Sequence, residues 1–189
     1  GASVDTQKLE RVVFLTGNLY ALLSTDGGAT FTHIDPTTIF GNIPPDGMPM
    51  EDYVKIRMGG DMSRFAGIQQ QLMEKGAAVG LRLNFEASNK MPNTFNAHRL
   101  VAWAAQGGPG GQSRMVRALF SAHVEQGQDI GDVETLIRIA VTLGMERDEV
   151  AAYLHSGAGA QNVNAEIEAA HRMGVQGVPF FLVDTQYAI

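Results

Sequence analysis

The chain has 189 residues and a formal net charge of −6, with 44% hydrophobic and 18% charged residues. This length fits one domain with a hydrophobic core, alone or with a small appendage. The negative charge argues against nucleic acid and anionic membrane surfaces as partners, because both attract clustered Lys and Arg. No apolar run approaches the ~20 residues of a membrane span. We therefore expect neither a nucleic-acid partner nor a membrane partner.

The sequence contains no cysteine. This absence excludes disulfides, cysteine-ligated zinc and any thiol chemistry of the chain itself. Residues 1–5 have neither the basic nor the apolar region of a secretory signal. We expect a cytoplasmic protein, with a leader removed before Gly1 as the alternative.

Residues 1–43 have the character of short β-strands. Apolar runs at residues 11–15, 19–23 and 29–34 predict three strands, with Asp26-Gly27-Gly28 as a turn between the last two. The letters S-x-D-x-G-x-T-F, from Ser24 to Phe31, resemble the Asp-box repeated in sialidase-like propellers. A propeller needs several blades, and the sequence has one copy. We interpret this segment as a stable β-hairpin.

Residues 44–173 have helical periodicity, interrupted by glycine pairs and capping signals. Asp132 is the predicted N-cap of one helix, and Asn93 or Thr94 that of another. The predicted helices cover residues 50–58, 63–78, 94–105, 113–125, 133–143 and 146–155, and the last one runs from Asn162 or Asn164 to Met173.

Residues 174–189 begin with two glycines and Pro179, ahead of the apolar run 180–183. Proline has no N–H to donate to a ladder, so it is tolerated at the first residue of a strand. The bond between Val178 and Pro179 is a candidate for the cis form. Residues 186–189 are the predicted partner strand.

Five motifs in order resemble DsbA-family thioredoxin-fold proteins, in particular the FrnE-type branch, from about residue 43 to residue 189. They are P-D-G-M at 45–48, P-N-T-F-N-A-H-R-L at 92–100, L-F-S-A-H at 119–123, Q-D-I-G-D at 128–132 and G-V-x-G-V-P-F-F at 174–181.

The resemblance implies an α/β fold, a thioredoxin-like (DsbA-type) core with a large all-helical insertion. Residues 44–173 would be the helical insertion domain, and residues 174–189 the cis-proline loop with the returning core strands. The family's opening βαβ unit with Cys-x-x-Cys and its last helix are not recognisable. Residues 1–43 would be a hairpin-like segment standing in for missing core strands.

The implied activity by descent is protein thiol–disulfide exchange, but a chain without cysteine is predicted to be redox-inactive. We expect no cofactor and no metal site. In thioredoxin folds the residue before the cis-proline offers its backbone to an extended substrate. The resemblance therefore assigns substrate binding to Val178 and Pro179, and it places Asn93 and His98 beside that site. The alternative is that Pro179 shapes a sheet corner and that His98 is a packed core residue.

Two further functions remain open at the level of sequence. Relatives such as 2-hydroxychromene-2-carboxylate isomerase and kappa-class glutathione transferase use serine instead of cysteine, and Ser24 is the candidate here, with a small thiol as ligand. Alternatively, the domain is a non-enzymatic peptide-binding module or a homo-oligomer, and we expect self-association. Five methionines either fill the core or line an adaptable apolar groove. They are Met48, Met50, Met58, Met62 and Met73.

Overall fold

The computed structural model of the chain describes residues 43–108 and 110–172, and the backbone of residues 21–24, 31–34, 182–183 and 187–188. The described part is mostly helical, with seven α-helices and three short antiparallel ladders. The predicted strand at residues 11–15 and the loop at residues 174–181 lie outside the described residues.

The predicted N-terminal hairpin is present. Strand β1 (Ala21–Ser24) pairs with β2 (Phe31–Ile34), and its register places Ala21 opposite Ile34 and Ser24 opposite Phe31. In the described part, β2 pairs with β1 alone.

The next elements are two helices that begin where the sequence predicts. Helix α1 (Met50–Met58) has Glu51 and Asp52 in its first turn, where carboxylates complement the helix dipole. It ends at Gly59 in the left-handed conformation, with φ of 64°. Helix α2 (Met62–Ala78) begins after Asp61, whose side chain accepts a hydrogen bond from the Arg64 amide at 2.9 Å.

Helices α1 and α2 with residues 79–82 form what we call the α1–α2 arm. Within the two helices only Val54 and Gly76 are buried. Apolar side chains such as Ile56 and Val79 remain 69% and 74% exposed. The arm therefore contributes little to the core of the described structure.

A short antiparallel ladder lies inside the segment that was expected to be all-helical. Strand β3 (Met48–Pro49) pairs with β4 (Lys90–Met91), and the Met50 amide donates to the Asn89 carbonyl at 2.7 Å. This ladder is a local addition to a segment that is otherwise helical, as predicted. Two-residue strands have no periodicity that a sequence pattern can display.

Four helices form the main hydrophobic core: α3 (Phe95–Ala104), α4 (Gly111–Phe120), α5 (Val133–Thr142) and α6 (Arg147–His155). We call them the four-helix core. Each of their large apolar side chains contributes about 1.5–3 kcal/mol when fully buried. The side chains with at most 1% exposure include Leu100, Val101, Met115, Leu119, Leu136, Ile137 and Val150.

Local signals fix the ends of these helices. Asp132 caps α5 as predicted, because its Oδ2 accepts hydrogen bonds from both the amide and the hydroxyl of Thr135 at 2.8 Å. Gly111 begins α4 where a Cβ atom would lie 2.2 Å from the Ala104 carbonyl oxygen. Only glycine permits this close approach of α4 to the end of α3.

Helix α7 (Ala160–Arg172) packs against α3 and β2. It starts slightly before the predicted Asn162 or Asn164. Strands β5 (Leu182–Val183) and β6 (Tyr187–Ala188) pair antiparallel, in agreement with the predicted partner strands.

Candidate functional site

Two of the four predicted site residues, Val178 and Pro179, lie outside the described residues, so their assignment to substrate binding stays a prediction. The other two, Asn93 and His98, lie at the start of α3 and can be examined directly.

Asn93 is half-buried, and both ends of its amide are bonded within the protein. Its Nδ2 donates to the Ile43 carbonyl at 2.8 Å, and its Oδ1 accepts from the Phe95 amide at 3.0 Å. The second bond satisfies an amide of the first helical turn. Asn93 therefore starts α3 and ties it to the segment that leads into the helical region.

His98 lies one turn further along α3 and has no exposed surface. Its Nε2 is 3.2 Å from Oγ1 of Thr94, which is also fully buried. This is the environment of a packed, hydrogen-bonded histidine. A direct contact between His98 and a ligand would require movement of the atoms that cover it, and its role in substrate binding stays a prediction.

Arg99, which follows His98, was not singled out from the sequence. Its side chain is 3% exposed, and each of its five N–H donors has an acceptor. Nε donates to the Ala158 carbonyl at 2.8 Å. Nη1 donates to Asn96 Oδ1 at 2.7 Å and to the Leu154 carbonyl at 3.0 Å. Nη2 donates to the carbonyls of Tyr153 at 2.6 Å and Ser156 at 2.7 Å.

These acceptors belong mainly to the C-terminal end of α6 and the turn that follows it. Backbone carbonyls at a helix C-terminus lack intrahelical partners, and a cation there complements the helix dipole. The ring of Tyr153 lies 5.0 Å from the Arg99 guanidinium carbon and stacks on Trp103 with centroids 4.4 Å apart. Arg99 therefore fixes α3 to α6 and is a structural residue.

Three of the sequence motifs meet at one place, which we call the motif junction (residues 90–94, 121–124 and 128–132). A Cβ atom on Gly131 would lie 3.0 Å from the Asn93 carbonyl oxygen, so these two loops are in close contact. Asp129 Oδ1 accepts from the Gly131 amide at 2.9 Å, and its Oδ2 lies 2.7 Å from Nζ of Lys90. Loops separated by about 40 residues in sequence are thus held together by the polar groups of their motifs.

The third part of the junction is a π-helical turn, residues 121–125, which follows α4. The sequence predicted a single helix through this point, because residues 113–125 contain no glycine or proline that would interrupt it. The wider turn brings Nδ1 of His123 within 3.3 Å of the Gln128 carbonyl, and the Gln128 amide donates to the Ala122 carbonyl at 2.8 Å. Burial lowers the pKa of His123.

The chemistry available to the described residues is limited. Thiol chemistry is excluded by the sequence. No group of three or more His, Asp or Glu side chains in the described part is arranged to hold a metal ion. Within the same residues, no helix combines the length and apolar character needed to cross a bilayer.

The serine-dependent alternative depends on Ser24 standing at the start of a helix. Ser24 is instead the last residue of β1 and pairs directly with Phe31 across the hairpin. Ser24 therefore belongs to a strand and is not the first residue of a helix. This pairing argues against the serine-dependent alternative.

The methionine groove suggested by the sequence has a partial counterpart. Met50 and Met62 line an open cleft of about 380 Å³ between α1, α2 and residues 85–89.

Comparison with known proteins identifies two solved structures that this chain resembles. The chain is similar to the crystal structure of a probable DsbA oxidoreductase from Streptomyces coelicolor, with 26% identity and a TM-score of 0.67, over 76% of this chain and 61% of that one. It also has the fold of a putative protein disulfide isomerase from Nitrosomonas europaea, with 16% identity and a TM-score of 0.53, over 68% and 65% of the two chains. The chain thus spans less than two thirds of the length of either protein. A search of curated proteins finds no match.

The match to a protein family is more extensive. The family described as DSBA-like thioredoxin domain matches residues 20–189. This range includes the β1–β2 hairpin, so the match begins more than 20 residues before the resemblance read from the motifs. The predicted fold class, a thioredoxin-like fold of the DsbA type with a helical insertion, is confirmed. The chain belongs to the family of DSBA-like thioredoxin domains.

Proposed function

We propose that this chain is a FrnE-type DsbA-like domain that binds extended polypeptide segments without exchanging disulfides. The observation that carries the proposal is the complete absence of cysteine from a chain that matches the family over residues 20–189. Disulfide exchange requires an attacking thiolate and a second thiol that resolves the mixed disulfide. Neither group exists in these residues.

The second half of the proposal, polypeptide binding, does not require a thiol. Asn93, Asp129 and His123 bond to carbonyls, amides and a lysine of the protein itself. The scaffold of the helical region is therefore complete without any thiol. Binding by strand addition uses backbone groups of the receiving chain, so the binding function assigned to Val178 and Pro179 has no need of cysteine.

Two measurements test the proposal. Insulin reduction with glutathione should proceed at the rate of the protein-free blank, while an active DsbA included as positive control accelerates it. A fluorescent, carboxymethylated unfolded polypeptide should bind with a saturable increase in anisotropy. Turnover above the blank would contradict the loss of exchange, and failure to bind would contradict the retained function.

The serine-dependent enzymes are not favoured, because Ser24 lies within the β1–β2 ladder. Titration with glutathione in a calorimeter should accordingly give no binding heat. A cytoplasmic location and self-association stay predictions.

A further inference from the structure

Helix α2 is attached to the rest of the described structure more weakly than the helices of the core are attached to one another. It has 17 residues, and only Gly76 is buried. Its apolar residues Phe65, Leu72 and Met73 are only half-buried. Because apolar stabilisation scales with the area removed from water, α2 gains only part of what full burial would give.

The polar contacts of α2 do not fix its position either. Asp61 accepts from the Arg64 amide at the start of the helix, and Nε2 of Gln70 donates to Oε1 of Glu74 at 2.9 Å. Among the described residues, no hydrogen bond or ion pair of an α2 side chain reaches another helix or strand. Helix α3, by contrast, is bonded to the end of α6 through Arg99.

The chain around α2 is free to turn at one end and has slack at the other. Gly59 and Gly60 precede the helix with φ of 64° and 87°, and no atom lies within 4 Å of either Cβ position. Glycine adopts many backbone conformations, so this pair is a suitable pivot. At the other end, the Asn84 amide donates to the Val124 carbonyl at 2.7 Å. Residues 79–83 lie between α2 and that anchor, and a segment of this length spans up to about 17 Å.

Local signals favour a helix that stays intact when it moves. Most residues of α2 are strong helix formers such as Met, Gln, Ala and Lys. The cap at Asp61 satisfies one amide of the first turn. Gln70 and Glu74 stand four residues apart, the spacing at which side-chain pairs stabilise an isolated helix.

The other walls of the cleft are fixed. Val54 of α1 has no exposed surface, and the Met50 amide at the start of α1 donates to the Asn89 carbonyl. Met62 and Phe65 of α2 form the opposite wall of this cleft of about 380 Å³. The width of the cleft therefore depends on the position of α2.

We propose that residues 61–83 are a movable flap, which we call the α2 flap. The helix pivots as a unit at Gly59 and Gly60 and changes the width of the cleft. A helix of 17 residues is about 26 Å long, so a tilt of about 20° moves its far end by about 9 Å. The slack in residues 79–83 permits this movement. The flap shares no residue with the binding function assigned to Val178 and Pro179 and does not depend on it.

Distances between nitroxide spin labels test the proposal in the full chain. The chain has no cysteine, so labels attach only to cysteines that are introduced. Ala78→Cys, Lys55→Cys and Arg117→Cys are exposed positions on α2, α1 and α4, and each is combined with Ala152→Cys on α6. In double electron–electron resonance, the distance distribution of the α2 pair should be broader than those of the α1 and α4 pairs by about 9 Å, the movement of the helix end.

A matched pair of substitutions tests what holds the flap closed. Leu72→Ala truncates a half-buried side chain and should increase the open fraction about 3- to 10-fold, because less apolar area then stabilises the closed position. Lys75→Ala changes an exposed residue of the same helix and should leave the distance distribution unchanged. Both are measured with the Ala78→Cys and Ala152→Cys label pair.

Hydrogen exchange followed by mass spectrometry separates a moving helix from local unfolding. The amides in the middle of α2 should stay protected, because the helix moves without losing its internal hydrogen bonds. Exchange of these amides at the rate of an unstructured chain would overturn the proposal. Distributions of equal width for the three label pairs would also overturn it, as would an unchanged distribution after Leu72→Ala. These measurements use no polypeptide ligand, so their failure is distinguishable from failure of the proposed function.

Discussion

The four-helix core and the α1–α2 arm are both built from helices with regular apolar residues, yet they use those residues differently. In the core, Leu100 and Leu136 have no exposed surface. In the arm, Ile56 and Val79 are 69% and 74% exposed. The comparison shows that apolar periodicity identifies a helix but does not identify the surface that covers it.

The two regions also differ in how their polar groups are used. Around the core, Arg99 and Asn93 direct their hydrogen bonds to carbonyls of neighbouring segments. At the cleft that the arm forms with residues 85–89, Glu51 and Glu86 are exposed. The polar groups around the core therefore stabilise the fold, whereas those at the cleft remain open to solvent.

The largest expected effect is the loss of Arg99. Arg99→Met removes five hydrogen bonds, four of which go to backbone carbonyls at the end of α6 and in the turn that follows it. We expect the free energy of unfolding to fall by about 3–5 kcal/mol, measured by urea denaturation. Arg99→Lys keeps the positive charge but lacks the planar guanidinium group, so it should lower the free energy of unfolding by less than Arg99→Met does. Equal losses for the two variants would show that the hydrogen-bond geometry is unimportant.

A pair of alanine substitutions compares the two regions directly. Leu136→Ala leaves a cavity in the core and should lower the free energy of unfolding by about 2–5 kcal/mol. Ile56→Ala removes an exposed side chain and should change it by about 0.5 kcal/mol or less. The same urea titration measures both. A large loss for Ile56→Ala would mean that a surface covers the arm in solution.

The packing of the π turn is tested at Gly127, which has φ of 66° and would place a Cβ atom 2.3 Å from the Cβ of Ala87. Gly127→Ala therefore combines an unfavourable φ with an overlap. Gly144→Ala is the matched control, because Gly144 has φ of 86° and open space around it. We expect Gly127→Ala to lower the free energy of unfolding by about 1–3 kcal/mol more than the control does, measured by urea denaturation. Similar losses in the two variants would contradict the close contact between Gly127 and Ala87.

The smallest expected effect depends on pH. Burial lowers the pKa of His123 in the folded protein, whereas in the unfolded chain the pKa of this histidine is about 6.5. Below a pH of about 6.5 the unfolded chain therefore binds more protons than the folded protein does. Stability should therefore fall as the pH drops from about 6.5 through the folded pKa. His123→Gln should remove this part of the acid sensitivity. An unchanged pH profile in the variant, followed by thermal unfolding between pH 7 and pH 5, would contradict the burial of His123.

Much of the fold could be predicted because its signals are local. The bounds of α1 follow from Pro49 and Gly59, and the start of α5 follows from Asp132. The π turn at residues 121–125 could not be predicted, since the contact it makes through His123 is with a backbone carbonyl of the following loop, which has no signature in the sequence.

The candidate site was predicted only in part for a similar reason. The motif at residues 92–100 indicated the start of α3, but the sequence alone could not separate Asn93, which joins two segments, from His98, which is buried within α3. Arg99 was missed because its acceptors are backbone carbonyls more than 50 residues away. Backbone carbonyls have no signature in a sequence. A charged residue in the middle of an apolar helix was the one signal available.

The central claim is that this domain retains polypeptide binding without disulfide exchange, and one comparison tests it most directly. Val178→Pro removes the N–H that strand addition would use, whereas Val178→Ala keeps it. The affinity for a carboxymethylated unfolded polypeptide is measured by fluorescence anisotropy for both variants and for the unmodified protein. The account predicts that Val178→Pro weakens binding about tenfold, the value of one good hydrogen bond, while Val178→Ala binds as the unmodified protein does. Equal affinity in all three proteins would contradict it.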